Sequence, residues 1–144
     1  MTFKSLRVVT ILLVSAHFTL SAAEGPETSV ESFKKTLITT AGPNGRSCGE
    51  VPRQGSSKEA FQCARRAIEA DAAFWVIAQK QAADSLQWVG AARDEHGILY
   101  QIHFDPPRTE SSGVKTKATF TIDHCSSLKF DEEKNRILCV PSRR

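Results

Sequence analysis

Ile98-Leu99-Tyr100-Gln101-Ile102-His103-Phe104-Asp105 is the stretch from which the fold is read. Ile98, Tyr100, Ile102 and Phe104 alternate with Leu99, Gln101, His103 and Asp105. A period of two marks a strand with one buried face, because successive side chains leave a pleated chain on opposite sides. Pro106-Pro107 stops the run, since proline has no N–H to give a ladder. Just upstream, Asp94-Glu95-His96-Gly97 reads as a hairpin loop with Gly97 at positive φ, preceded by a strand over 86–93. Residues 74–82 form another apolar strand, joined to it by the turn Ala83-Asp84-Ser85. Downstream, 114–123 alternates again, with Thr116, Ala118, Phe120 and Ile122 on one face and Lys115, Lys117, Thr119 and Thr121 on the other. A short strand over 136–140 follows. Gly90 is the expected place for a bulge that curls the sheet.

Toward the N-terminus the period becomes helical. Over 28–41, Val30, Phe33, Leu37, Ile38 and Ala41 share one face, and Thr28 with Glu31 has capping-box spacing. Gly42-Pro43 ends this helix, and 42–55, rich in Gly, Pro and Arg, reads as a loop. Ser56 with Glu59 opens a second helix reaching about residue 72. Its stripe is Phe61, Ala64, Ile68 and Ala72, and its small residues let it lie close to a sheet. Helix, helix, then strands joined by short turns is an α+β order. The expected architecture is an antiparallel meander of four to five strands packed on one helix, cystatin-like, with an additional N-terminal helix.

The first residues predict export. Lys4 and Arg7 precede an apolar stretch over 8–20, and Ser21-Ala22-Ala23 supplies small residues where a signal peptidase cuts. Thirteen residues fall short of the roughly 20 that span a bilayer. The expected division is a signal peptide at 1–23, an N-terminal helix and linker at 24–47, and a disulfide-stabilised domain at 48–144. Lys4 and Arg7 leave with the signal, so 17 basic and 16 acidic residues remain. That balance makes no general case for nucleic acid or an anionic membrane. The chain is expected in the periplasm or outside the cell, with no membrane span once the signal is removed.

Cys48, Cys63, Cys125 and Cys139 are the only cysteines, an even set in an exported chain. Four cysteines allow three connectivities, and the two compact pairs favour Cys48–Cys63 and Cys125–Cys139. Cys63 sits about 120° around the helix from the centre of its stripe, which predicts a bridge from the preceding loop to the helix flank. Each bridge closes a loop of about 15 residues, on the order of 3 kcal/mol in the chain-entropy account. There is no Cys-x-x-Cys pair, so neither a zinc site nor a thioredoxin-like motif is indicated.

The chain carries no G-x-S-x-G elbow, H-E-x-x-H, phosphate-binding glycine loop or dinucleotide fingerprint. Its one acid–base constellation is His103, Asp105, Asp123 and His124, with Lys117 as a nearby cation. Two histidines facing each other across a sheet would suit acid–base cleavage of a phosphodiester, whereas the plainer reading is a polar outer face. No cofactor or metal is called for. Trp88 is expected inward with Leu86. If Phe74 and Val76 meet the second helix, Trp75, Ile77, Val89 and Leu99 form an apolar patch on the far face. The N-terminal helix, a partner protein or a second copy of the chain are the candidates to cover it.

Cys48-Gly49, the alanine-rich helix with Cys63, Phe74, Asp84-Ser85, Gly90, Gly97 with Tyr100, Asp105, and the late Cys125 and Cys139 form a spaced pattern. It resembles a pattern in small uncharacterised bacterial exported proteins with four cysteines. The likeness covers 48–139 and leaves out the N-terminal helix. That group has no established activity, so the resemblance implies no catalytic residue. The functional expectation is therefore a non-enzymatic binding domain for another protein or an envelope component, of inhibitor or immunity type by analogy of scaffold. The alternatives are a small histidine-dependent hydrolase or ribonuclease, and a self-associating envelope protein. Non-reducing peptide mapping of exported protein is expected to return Cys48 linked to Cys63 and Cys125 to Cys139; a crossed link would refute the pairing.

Overall fold

A computed structural model describes residues 29–82, 85–108, 113–114 and 116–142. The expected signal peptide, the start of the first helix at Thr28 and most of the Ala83-Asp84-Ser85 turn lie outside the described residues. Among those described, no helix is long and apolar enough to cross a membrane.

Helix α1 (Val30–Ala41) is capped by Ser29, not by the expected Thr28–Glu31 pair. The Ser32 N–H donates to Ser29 Oγ at 3.1 Å, and the Ser29 N–H donates to Ser32 Oγ at 2.9 Å. The box is therefore Ser29 with Ser32, one residue further along, and the Ser32 hydroxyl takes the place that a glutamate or glutamine usually fills. Gly42, at φ +81°, ends the helix by donating its N–H to Ile38 and Thr39.

The run after it is not all loop. Strand β1 (Arg46–Val51) forms there and pairs in parallel with β2 (Phe74–Gln81) across helix α2 (Lys58–Glu69). Its sequence hides it, because Gly49 at φ +92° and a register shift between Ser47 and Glu50 break any alternation. The expected 47/48 division between linker and domain falls inside this strand. In α2, Ser56–Glu59 is not a capping box: the N-cap is Ser57, which makes no capping bond, and its buried hydroxyl instead donates to Glu132 O at 3.3 Å. The helix stops at Glu69, and Asp71 turns out of it at φ +52°.

Strands β2, β3 (Leu86–Arg93), β4 (Leu99–Asp105), β5 (Thr119–Asp131) and β6 (Arg136–Pro141) follow as antiparallel neighbours. The fold is α+β, with a six-stranded mixed sheet ordered β1-β2-β3-β4-β5-β6 and two helices. The strand over 114–123 is corrected to β5, which starts later and runs eight residues further. In the β3–β4 loop Gly97 has φ +84°, as its position predicts. Burial pushes the Asp94 carboxyl there upward, but N–H groups of Ile98 and His96 and the Tyr100 hydroxyl bind it and hold it below its ordinary value.

Both disulfides join as expected, Cys48 to Cys63 and Cys125 to Cys139, and suit an oxidising environment. The first does not run from a loop to an exposed flank. It ties edge strand β1 to α2 inside the core, with Cys63 8% exposed.

The sheet buries both faces. Phe74, Val76, Ala78, Val89 and Ala91 pack with Phe61, Ala64 and Ala67 of α2. Ile77, Ala92, Ile102 and Phe104 pack with Phe33, Leu37 and Ala41 of α1. The apolar far face is thus covered by the chain's own first helix. Trp75 and Ile77 lie on that face as expected, but Val89 and Leu99 lie on the α2 side and Trp88 lies under α1. The physical reason is parity. Gln81 pairs with Leu86, so an even number of connecting residues puts Ala78 opposite Val89 and Ile77 opposite Gly90. The four residues offered as one partner surface therefore divide between two cores, with Ile77 0% and Val89 5% exposed.

Gly90 carries no bulge; its register is regular on both sides. Its role is clearance, since a Cβ there would stand 2.2 Å from Leu37 Cδ1. Gly90→Ala is expected to cost about 1–3 kcal/mol by overpacking, and Leu37→Ala about 2–5 kcal/mol by cavity formation. In urea denaturation the double variant should lose clearly less than both single losses together. Strict additivity would overturn the contact as the reason for glycine.

Candidate functional site

The site arises from a bend in β5. Up to Cys125 this strand pairs with β4; from Ser127 it pairs only with β6. The register slips between those two residues, and an extra residue on one strand bends it. Beyond the bend the β5–β6 hairpin turns over the face that carries α2, so that β6 lies against β2, β3 and β4. The Cys125–Cys139 bridge holds the bend closed.

Side chains fasten the hairpin where it lands. Arg65 of α2 pairs with Glu132, donates to Phe130 O at 2.7 Å, and lies over the Phe130 ring at 5.9 Å. The Asn135 amide donates to Gly55 O at 3.0 Å, and the Phe61 and Phe130 rings meet at 5.2 Å. Gln101, 6% exposed, donates its amide to Ile137 O at 2.6 Å and joins β4 to β6 directly.

A cavity of about 200 Å³ remains in the angle between β6 and the sheet. Ala78 and Val89 give it an apolar floor; Lys80, Gln101, His103, Asn135 and Arg136 give it polar walls. Arg136 Nη2 lies 3.0 Å from Asp131 Oδ2, a hydrogen bond that holds the Asp131 carboxyl below its ordinary value. The Arg136 Nε is buried and has no hydrogen-bond partner. Burial pushes the His103 imidazole below its ordinary value; Asp123 opposes the shift and Lys80 adds to it.

Of the residues singled out in the sequence, His103, Asp105 and Asp123 share this face, as β4–β5 register requires. Asp105 is occupied, accepting from the Gln87 amide at 3.2 Å. His124 is on the opposite face, paired across from Tyr100 with their rings 4.9 Å apart. The sheet therefore separates the two histidines, and they cannot clasp one substrate between them. Lys117 is exposed in the segment before β5. Among the described residues, no group of three or more His, Cys, Asp and Glu is placed to hold a metal ion.

Sequence reasoning missed Lys80, Gln101, Asn135 and Arg136. Lys80 was legible as the polar end of an apolar strand, and Gln101 as a polar residue on a buried strand. Nothing in the sequence announces that β6 crosses the sheet to meet them. A wider groove of about 620 Å³ lies between α1 and β1, beside Trp75 and Ile38. Its Lys34 and Glu50 already pair with each other at 2.8 Å, and that hydrogen bond raises the Lys34 pKa. No protein-family model, curated protein or solved structure matches this chain.

Because the folded state disfavours protonated His103, the unfolded chain binds its proton more readily. The neutral histidine's contribution is complete above the ordinary value near pH 6.5 and fades as pH falls through it toward the lowered folded value. Asp94 and Asp131 act in a separate window, at about pH 4 and below. Urea denaturation at pH 7.5 and 5.5 should therefore show a smaller loss on acidification in His103→Gln than in the unsubstituted protein. An equal loss in both would remove His103 as its source.

Proposed function

We propose that this chain is an exported domain, periplasmic or secreted, that works by binding another protein or an envelope component in the cleft around His103. The observation that supports this reading is the convergence there of polar side chains from β2, β4 and β6 on a cavity with an apolar floor. Such a combination, an apolar surface with a few directed polar groups, is what recognition sites share. His103 receives no hydrogen bond from a serine, threonine or cysteine among the described residues. A cleft without an activated nucleophile suits recognition better than covalent chemistry. The frame around it suits the same role, because the Cys125–Cys139 bridge and the Arg65 contacts hold the cleft walls before any partner arrives. Size, compartment and rigidity together fit an inhibitor- or immunity-type protein.

The test is site-directed photo-crosslinking in the native host's envelope. A photoreactive residue replacing Lys80, at the cleft rim, should capture a discrete adduct. The same residue replacing exposed Lys58, at the start of α2 and outside the cleft, should capture far less. Equal capture from both positions, or none from Lys80, would overturn the cleft as the binding site.

A further inference from the structure

Strand β5 stands inside the sheet order, yet half of it is an edge. From Thr119 to Cys125 it pairs with β4, and its pairing with β6 begins only at Cys125. Past the bend the hairpin has moved onto the α2 face, so among the described residues no strand lies on the other side of 119–123. Ser142 closes the gap at one end, its N–H donating to His124 O at 3.2 Å. Backbone groups alternate sides along an antiparallel strand, so Phe120 and Ile122 turn theirs the same way as His124, toward the open side.

An open edge of this kind pairs with another strand unless something blunts it. The outer edge of β1 is blunted by Gly49 at φ +92° and by the register shift between Ser47 and Glu50. Residues 119–123 have no proline, glycine or register shift, and three of the five are threonine or isoleucine, which suit a strand. Ile122, across from Ile102, is left 47% exposed.

The occupant is read from the pairing itself. Two copies laid antiparallel about a two-fold axis at Thr121 set Phe120 opposite Ile122 of the second copy, and Thr121 opposite its own counterpart. Thr119 then faces Asp123. Aromatic–β-branched and Thr–Thr pairs are favourable cross-strand neighbours, and a two-fold contact makes each unlike pair twice. Charge completes the match. The diagonal neighbour of Asp123 is the second copy's Lys117, at roughly the 7–8 Å that a long side chain spans. Both residues are exposed, and Asp123 lines a hollow of about 470 Å³ with His124, Pro141 and Ser142 that gives the lysine room.

We propose that the free edge of β5 is a homodimer interface, on which a second copy of this chain adds its own residues 119–123 antiparallel and continues the sheet. None of these residues lines the His103 cleft, so the proposal does not depend on that cleft. A ladder this short belongs to the weak end of protein interfaces, and the dimer is therefore reversible.

The experiment is small-angle X-ray scattering of the exported protein at concentrations up to about 1 mM, with amide hydrogen exchange at the two ends of the range. Dimer should form as concentration rises, and the Phe120 and Ile122 amides should gain protection while those of β1 do not. Asp123→Lys, an exposed change, should weaken the dimer about tenfold or more, because it sets two lysines against each other. Adding Lys117→Asp to it should restore the affinity, and Ile122→Lys should leave a folded monomer. A protein that stays monomeric throughout would overturn the proposal, whether the residues ahead of Ser29 cover the edge or another protein's strand takes it. So would a dimer that protects β1 instead, one that Asp123→Lys leaves unchanged, or one whose loss Lys117→Asp does not recover.

Discussion

Between Phe74 and Ala78, β2 contains no polar side chain: Phe74, Val76 and Ala78 leave it on one side, Trp75 and Ile77 on the other. A strand of that kind is stable in water only when both faces are covered, and each large side chain removed from water contributes about 1.5–3 kcal/mol. The remaining elements can be understood as the means of covering it. On one face α2 and β6 do so; on the other, α1 alone, with Leu37 seated on the bare backbone of Gly90. The N-terminal helix is therefore a structural half of the core and not an appendage to it.

The two coverings differ, and the difference creates the site. Helix α1 lies on the central strands with aromatic contacts, Phe33 meeting Phe104 at 5.9 Å and Phe120 at 6.2 Å. On the α2 side the helix covers the start of β2, and β6 arrives obliquely after the bend in β5. A helix and a hairpin do not tile a flat face completely. The space left over lies where β2 and β4 change from apolar to polar, at Lys80 and His103. The disulfides serve this geometry: one fastens β1 to α2, and the other secures the bend that carries β6 across.

Much of this was readable in the residues because it is local. The hairpin at Gly97, the bounds of β3, the favoured disulfide partners and most of each helical stripe depend on contacts near in sequence or on simple period, although Ile38 is exposed, Ala72 lies beyond α2, and Cys63 joins the core. Of the polar walls of the candidate site only His103 was singled out; its spacing of two from Asp105 puts both on one face, but Asp105 does not line the cavity. What misled was parity between strands. Val89 and Leu99 were assigned the wrong side because the face of one strand relative to the next depends on how many residues the connecting turn consumes. Strand β1 escaped notice because a parallel edge strand with a bulge and a glycine at positive φ has no alternation to detect.

The sequence by itself determined that the chain is α+β and that antiparallel strands follow one another from Phe74 onward, and it favoured the cysteine pairing that the structure shows. These follow from periodicity, turn chemistry and short loop closure, all of which act over a few residues. Only the tertiary structure decided that β1 joins in parallel, that α1 closes the far face, and that β6 crosses the sheet to set Arg136 in the same cavity as Lys80 and His103. It also decided that His124 stands apart from His103, behind the sheet. Each of these depends on register and on the bend at Cys125. A shift of one residue in register exchanges the faces of every side chain that follows, and no local pattern records it.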